Sequence, residues 1–301
     1  MNKLKNIKIA FVDIDGTISN SNKQITKETN QAIENATKNG LIVVLCSGRS
    51  NDYVYKYSKL ANASPTIISC NGALIFDYKQ NKNILQNKIN FEQVKLLWNY
   101  CNENSIHCLL NGKNKRYCNS INYFDENNTI LIRHIDNLKN ENIYQFVAGC
   151  DFFEPIYNLD CFISQNTNLK IVNASNGYIN RIKNENHYFL DITNDNVNKG
   201  IAIKKLLVHL NLKKENSIGF GDHINDFDLF KEVGFKIAMD NAMNDLKKQA
   251  DFITLSNDDN GVAYFLNNFI DYEKKIYDTH WFLNYFIWII PQWITTLQIS
   301  N

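Results

Sequence analysis

The chain has 301 residues, enough for one large domain or two ordinary ones with an ample core. Hydrophobic residues at 44% and charged residues at 21% are those of a globular protein, and a net charge of +1 lacks the basic excess of a nucleic-acid-binding surface, so no nucleic-acid partner is expected. Seven cysteines, odd in number and without a C-x-x-C pair, argue against a disulfide framework and a zinc site; with no apolar signal stretch behind Met1, the expected location is cytoplasmic.

The first predicted element is a strand, Ile7-Lys-Ile-Ala-Phe-Val12, running into Asp13-Ile-Asp-Gly-Thr17. Side chains alternate along an extended chain, so Asp13 and Asp15 project the same way off its carboxyl end, and Gly16 lets the chain turn without a side chain in front of them. Two carboxylates held together repel unless a cation or a shared proton offsets them; an ordinary Asp/Gly turn is the plainer alternative. Thr26 is placed to cap a helix that buries Ala32, Ile33 and Ala36 and stops at Gly40. Residues 41–46 form a continuous apolar run of strand length, as in a parallel sheet covered on both faces. A helix over about 52–60 and a strand over 66–70 continue the βαβ alternation.

That alternation breaks over 78–188, where short alternating segments (106–110 and 169–173) and one amphipathic helix (91–104) lie among Asn/Lys-rich turns. It resumes with a helix over 199–210 that Asn198 can cap, a strand over 217–220, a helix over 226–233 ended by Gly234, a strand over 235–239 and a helix opening near Gly261. The expected fold is α/β: a doubly wound, Rossmann-like parallel sheet core built from 1–77 and 189–270, with an α+β cap domain inserted at 78–188. A module interrupting a sheet domain is a natural lid, its two linkers serving as hinges. Residues 271–301 form an apolar tail.

Four strand or helix ends carry polar groups that would meet at one sheet edge, where open α/β sheets bind ligands. Besides Asp13 and Asp15 there is Ser47-Gly48-Arg49, whose hydroxyl and amides suit a phosphoryl oxygen; Ser47 serves equally as a helix N-cap. Lys199 at a helix start opposes the helix dipole, which suggests a neighbouring anion or carboxylate, although a surface lysine reads the same way. Gly221-Asp222-His-Ile-Asn225-Asp226 is rich in oxygen donors fit for a hard cation; the plainer reading is Asn225 capping a helix with an acidic first turn. His223 has no second His or Cys at ligand spacing.

This ordered set resembles the haloacid dehalogenase-like hydrolase superfamily and, within it, the Cof-type sugar-phosphatase-like branch, whose large α+β cap falls where the insert does here. Asn71-Gly-Ala73 and the stretch 250–263 match as well, and the resemblance covers about 6–268. It implies Asp13 as a nucleophile forming an aspartyl-phosphate and Asp15 as the acid and base. It implies Mg²⁺ on Asp13, Asp222 and the Asp15 backbone carbonyl, with Asp226 direct or through water. Ser47, Gly48, Lys199 and Asn225 would bind the phosphate, and Arg49 and Asn71 would support substrate or site. The partner implied is a small phosphorylated metabolite, foremost a sugar phosphate, with pyridoxal phosphate and flavin mononucleotide as further candidates. The alternatives are a phosphomutase or phosphotransferase of the same fold, or a non-catalytic regulatory or binding protein.

Two features depart from the resemblance. Asp240 stands where relatives commonly have Gly, an extra carboxylate expected near the phosphate site. The apolar stretch 281–294 contains Asn284, Pro291 and Gln292 and is too short and broken for a transmembrane span; it is a candidate for packing on its own domain, self-association or interfacial contact.

Overall fold

The structure, a computed structural model, describes residues 4–270 apart from 122, 125–128, 175–179 and 183–184, so the apolar stretch 281–294 and the tail 271–301 lie outside the described residues. β1 (Ile9–Val12) is fully buried at all four positions; because successive side chains point to opposite faces, both faces of the sheet are covered there. α1 (Lys27–Lys38) starts at Thr26, whose hydroxyl accepts the Thr29 N–H, and buries Ala32, Ile33 and Ala36. β2 (Ile42–Leu45) pairs with β1 in parallel, and α2 (Asn51–Leu60) follows.

The strand expected at 66–70 as the next parallel strand behaves differently. β3 (Thr66–Ser69) joins the end of β2 through a single parallel bridge, Cys46 to Ile68. It then turns back through β4 (Leu74–Asp77) and β5 (Lys82–Gln86) as an antiparallel sheet of three strands. The cause is the short connection after Ser69, a turn holding Asn71 and Gly72 at positive φ; a parallel partner would need a crossover of a dozen residues.

The inserted segment contains α3 (Phe91–Glu103), β6 (His107–Asn111), β7 (Arg116–Cys118), β8 (Thr129–Leu131), β9 (Gln145–Cys150), α4 (Phe153–Asn166), β10 (Leu169–Ala174), β11 (Asn180–Ile182) and β12 (Glu185–Asn194). Its sheet runs β10-β12-β9-β6-β7-β8, with β11 beside β12. Cys108, Leu110, Phe146, Ala148, Leu190 and Ile192, on alternate positions of β6, β9 and β12, pack with Leu97, Trp98, Leu159 and Ile163 of the two helices in a hydrophobic cluster separate from that of the first sheet. At its edges the pairing crosses the boundaries read from sequence: β5 pairs with β4, and β12 carries the cap sheet to Asn194.

The chain returns with α5 (Lys199–His209), β13 (Ser217–Gly221), α6 (Asp226–Glu232), β14 (Phe235–Ala238), α7 (Asn244–Lys247), β15 (Phe252–Ile253) and α8 (Gly261–Phe269). The core sheet is parallel throughout, in the order β15-β14-β13-β1-β2, with Ile203, Leu206, Phe230, Phe265 and Ile33 closing over it. Among the described residues no helix is long and apolar enough to cross a membrane.

Candidate active site

β1 lies between β13 and β2 with Val12 level with both Phe220 and Leu45, so the residues leaving all three strands emerge at one edge. Asp13, the segment from Ser47 to Arg49 and the loop from Asp222 to Asp226 therefore share a neighbourhood, and the start of α5 enters it. Lys199, the first residue of α5, is 1% exposed; its Nζ donates to Asp13 Oδ1 at 2.6 Å and to Asp226 Oδ1 at 2.7 Å. Of the two readings its place on the helix dipole left open, a neighbouring anion or carboxylate and a plain surface lysine, the structure has the first. Asn198 caps α5 by accepting the Ile201 N–H.

Asp226 is fully buried, and its second oxygen accepts the backbone N–H groups of Asp222 and His223 at 2.9 and 3.0 Å. It thus ties the loop after β13 to the lysine. Asp222 accepts the Thr17 hydroxyl at 2.8 Å. Gly16 has φ +79°, and a Cβ there would lie 2.3 Å from Asp222 Oδ2, so the approach of the two loops requires glycine. One oxygen each from Asp13, Asp222 and Asp226 lies within 4.8 Å of the others. All are carboxylate oxygens with no sulfur or imidazole among them, a donor set that fits a hard divalent cation.

Three carboxylates gather around one ammonium, and two of them, Asp13 and Asp222, hold their protons more tightly than usual, first through burial and then through their like-charged neighbours. Burial pushes the Asp13 carboxyl up to about 7; Lys199 opposes the rise, while Asp226 and Asp15 add to it. Burial, followed by the charges of Asp13 and Asp226, pushes Asp222 up to about 8. Burial disfavours the Lys199 ammonium, yet Asp13 and Asp226 hold its pKa well above the usual lysine value. One cation cannot satisfy all three acids, so the lysine stays charged and the acids call for more positive charge.

Asp15 takes another direction. Arg49 grips it with two nitrogens, Nε to Oδ2 at 2.8 Å and a terminal nitrogen to Oδ1 at 3.1 Å, and the guanidinium stands 5.5 Å from the Tyr53 ring centre. Ser47 is buried and accepts the Arg49 N–H at 3.2 Å; it does not cap α2, which starts four residues later behind Ser50. A Cβ on Gly48 would meet the Asn71 side chain. Asn71 sits at φ 56° and accepts from Asn225 Nδ2 at 3.2 Å, while its own Nδ2 is buried and, among the described residues, has no hydrogen-bond partner. The capping role read for Asn225 is not what the structure has: its backbone is already helical at φ −72°, ψ −7°, so its side chain reaches Asn71 instead. Asp240 is exposed, pairs with Lys247 at 3.1 Å and is not one of the three grouped carboxylates, although the next residue, Asn241, donates to the Gly16 carbonyl at 2.7 Å. His223 enters the cluster only through its N–H.

The sequence reading passed over Thr17, although it stands inside the first motif, and Gln145 of the cap. Gln145 is buried, donates to the Gly48 carbonyl at 3.1 Å and accepts from Asn111 Nδ2 at 2.7 Å. Nothing local in the chain marks Gln145, because its partner lies 97 residues away.

The pattern of the haloacid dehalogenase-like hydrolases matches residues 10–266. A 5-amino-6-(5-phospho-D-ribitylamino)uracil phosphatase of Bacillus subtilis is 26% identical over 272 residues, covering 88% of this chain and 96% of its own. A phosphoglycolate phosphatase of Methanobrevibacter smithii is 26% identical over 268 residues, covering 88% of this chain and 99% of its own. The crystal structure of a haloacid dehalogenase-like hydrolase from Bacteroides thetaiotaomicron superposes with a TM-score of 0.76 at 22% identity, covering 87% of this chain and 98% of that one.

Proposed function

The chain belongs to the haloacid dehalogenase-like hydrolases, and on that premise we propose that it is a Mg²⁺-dependent phosphatase of small phosphomonoesters working through an aspartyl-phosphate. The observation that carries this reading is the buried Lys199–Asp13 contact of 2.6 Å inside a group of three carboxylates. A carboxylate so placed meets a phosphate ester beside a fixed positive charge, where phosphoryl transfer depends mostly on positioning and electrostatics. The names of the relatives, which include a ribitylaminouracil phosphatase and a phosphoglycolate phosphatase, point to the same reaction on small metabolites.

In this mechanism Asp13 attacks phosphorus and the ester P–O bond breaks, the leaving alkoxide taking a proton from Asp15. Asp15 then accepts a proton from water as that water attacks the phosphoenzyme; the bond from Asp13 to phosphorus breaks and inorganic phosphate leaves. Lys199, the Ser47 hydroxyl, the Gly48 amide and the unpartnered Asn71 Nδ2 are the donors for the phosphoryl oxygens, with Asn225 holding Asn71 in place. Asp13, Asp222 and the Asp15 carbonyl would hold the cation. Asp226, already accepting three hydrogen bonds, suits a supporting place through water. When bound, the cation supplies the positive charge that the buried carboxylates lack. Arg49 keeps Asp15 in position, and the inserted α+β segment serves as the lid.

The test is phosphate release from a panel of phosphoesters by purified protein, with Mg²⁺ and with chelator, alongside Asp13→Asn. We expect Mg²⁺-dependent release that the variant lacks. Release by Asp13→Asn at the parent rate would remove the assignment of the nucleophile, and inactivity of the parent on the whole panel would favour the non-catalytic alternative.

A further inference from the structure

Helices cover one face of the cap sheet; its other face turns toward the core. At the far end of that face the rings of Tyr123 and Phe189 close over Gly149. At the near end stand two cross-strand neighbours, Asn111 of β6 and Gln145 of β9, which are 3% and 1% exposed. A pair of apolar side chains would seal such a junction without any polar group to satisfy, so two buried amides there call for a reason. Asn111 Nδ2 donates to Gln145 Oε1 at 2.7 Å, which leaves Gln145 Nε2 to meet the Gly48 carbonyl at 3.1 Å. The opposite orientation would set one acceptor against another, so Asn111 fixes which way the Gln145 amide points.

The Gly48 carbonyl and the Arg49 N–H belong to one planar peptide unit, which turns as a whole. Its N–H donates to Ser47 Oγ at 3.2 Å. A hydroxyl that accepts there keeps its own proton for a phosphoryl oxygen. Beyond the same unit, the Arg49 side chain holds both oxygens of Asp15. The core ties the neighbouring peptides through backbone bonds: Ser47 N–H to the Ile68 carbonyl at 3.0 Å, Asn71 N–H to the Ser47 carbonyl at 3.1 Å, and Cys70 N–H to the Arg49 carbonyl at 2.8 Å. None of those three bonds reaches the 48–49 peptide. Gln145 holds it, from the cap.

We infer that Gln145 is a positioning residue for phosphoryl transfer: by fixing the 48–49 peptide it sets both the Ser47 hydroxyl and the Arg49 clamp on Asp15. The cap thereby acts on the phosphate end of the reaction as well as on the leaving group. This deepens the phosphatase reading above and rests on it. Buried, and with both ends of its amide engaged, Gln145 has no surface to offer a leaving group, so its removal is felt alike by every substrate. A second buried link, Asn51 Nδ2 to the Lys113 carbonyl at 2.9 Å, joins core and cap without touching the 48–49 peptide and serves as the control.

Steady-state kinetics of the full chain with saturating Mg²⁺ test this on acetyl phosphate and 4-nitrophenyl phosphate, whose leaving groups differ in size and need no proton. In Gln145→Met, which leaves the Gly48 carbonyl unpaired, kcat/KM should fall at least about tenfold on both esters by similar factors, and inhibition by inorganic phosphate should weaken at least about threefold. Asn51→Leu should lower the melting temperature yet keep both readouts within about twofold, since the bond it loses is structural. Because Gln145 acts through Ser47, the double variant Ser47→Ala with Gln145→Met should lose less than the product of the single losses. Unchanged phosphate inhibition in Gln145→Met, loss on one ester only, equal kinetic loss in Asn51→Leu, or strictly multiplicative losses with Ser47→Ala overturns the inference. If Gln145→Met does not fold, Asn111→Ala decides: it keeps Gln145 but frees its amide to turn, and phosphate inhibition as strong as in the parent overturns the inference. A parent inactive on both esters sinks the phosphatase reading itself, whereas an active parent matched by Gln145→Met sinks only this inference.

Discussion

Replacing Lys199 by methionine removes one ammonium and keeps most of the side-chain volume. Its Nζ is in contact with two carboxylates at 2.6 and 2.7 Å, and the side chain has no exposed surface. At an effective dielectric of 20, a unit-charge pair at that distance interacts by roughly 6 kcal/mol before desolvation is counted. Burying the ions costs several kcal/mol each, so the net effect of losing one partner is about 3–5 kcal/mol. Asp226 keeps two backbone donors and Asp13 already favours protonation, which places the expected loss near the lower end, about 3 kcal/mol. In a domain of 150–250 residues each kcal/mol shifts the melting temperature by about 2–4 °C, so without metal at pH 7 it should fall by about 6–12 °C. Asp226→Asn combined with Lys199→Met should cost less than the sum of the single changes, because the double variant no longer strands that buried charge. Calorimetry on the four proteins measures this. An unchanged melting temperature in Lys199→Met, or strict additivity in the double variant, would refute the assignment of Lys199 as the charge that holds the two acids together.

Asp15→Asn should slow turnover of alkyl phosphates by about 100-fold or more and let phosphoenzyme accumulate with a leaving group that needs no proton; intact-mass measurement after acid quench detects it, and undiminished turnover contradicts the role. Stability should also couple to pH through the buried carboxylate group. Asp13 and Asp222 rise from 3.8 to about 7 and about 8, so between about pH 4 and 8 the metal-free folded state binds more protons than the unfolded one and loses stability as pH rises. Because a divalent cation occupies the ionised form, the gain in melting temperature on adding Mg²⁺ should be larger at pH 8 than at pH 5; equal gains would argue against these carboxylates as the binding site. Arg49→Met should lower kcat more than it lowers stability: its pair with Asp15 is half-exposed, and such pairs contribute about 1 kcal/mol or less.

Local pattern alone was enough for the parallel core, since β1, β2 and β13 are short apolar runs followed at once by polar loops, and alternation with amphipathic helices leaves few other folds. The same pattern placed Asp13, Ser47, Lys199, Asp222 and Asp226 at one edge, because strands that run in parallel bring their exits together. Local chemistry could not say which acid takes which base. Asp13 and Asp15 stand two residues apart, yet one meets the buried Lys199 and the other the half-exposed Arg49. Asn225 was legible as a cap and became a brace for Asn71, and the pairing of Asp240 with Lys247 was not legible at all. Only long-range packing decided the reach of Gln145 to Gly48 and the rings gathered over Gly149, for those contacts join residues tens of positions apart that share no period or motif. Periodicity and turn chemistry act over a few residues and determined the elements and the edge they share; the pairing of charges across that edge depends on how whole elements dock, and the tertiary structure decided it.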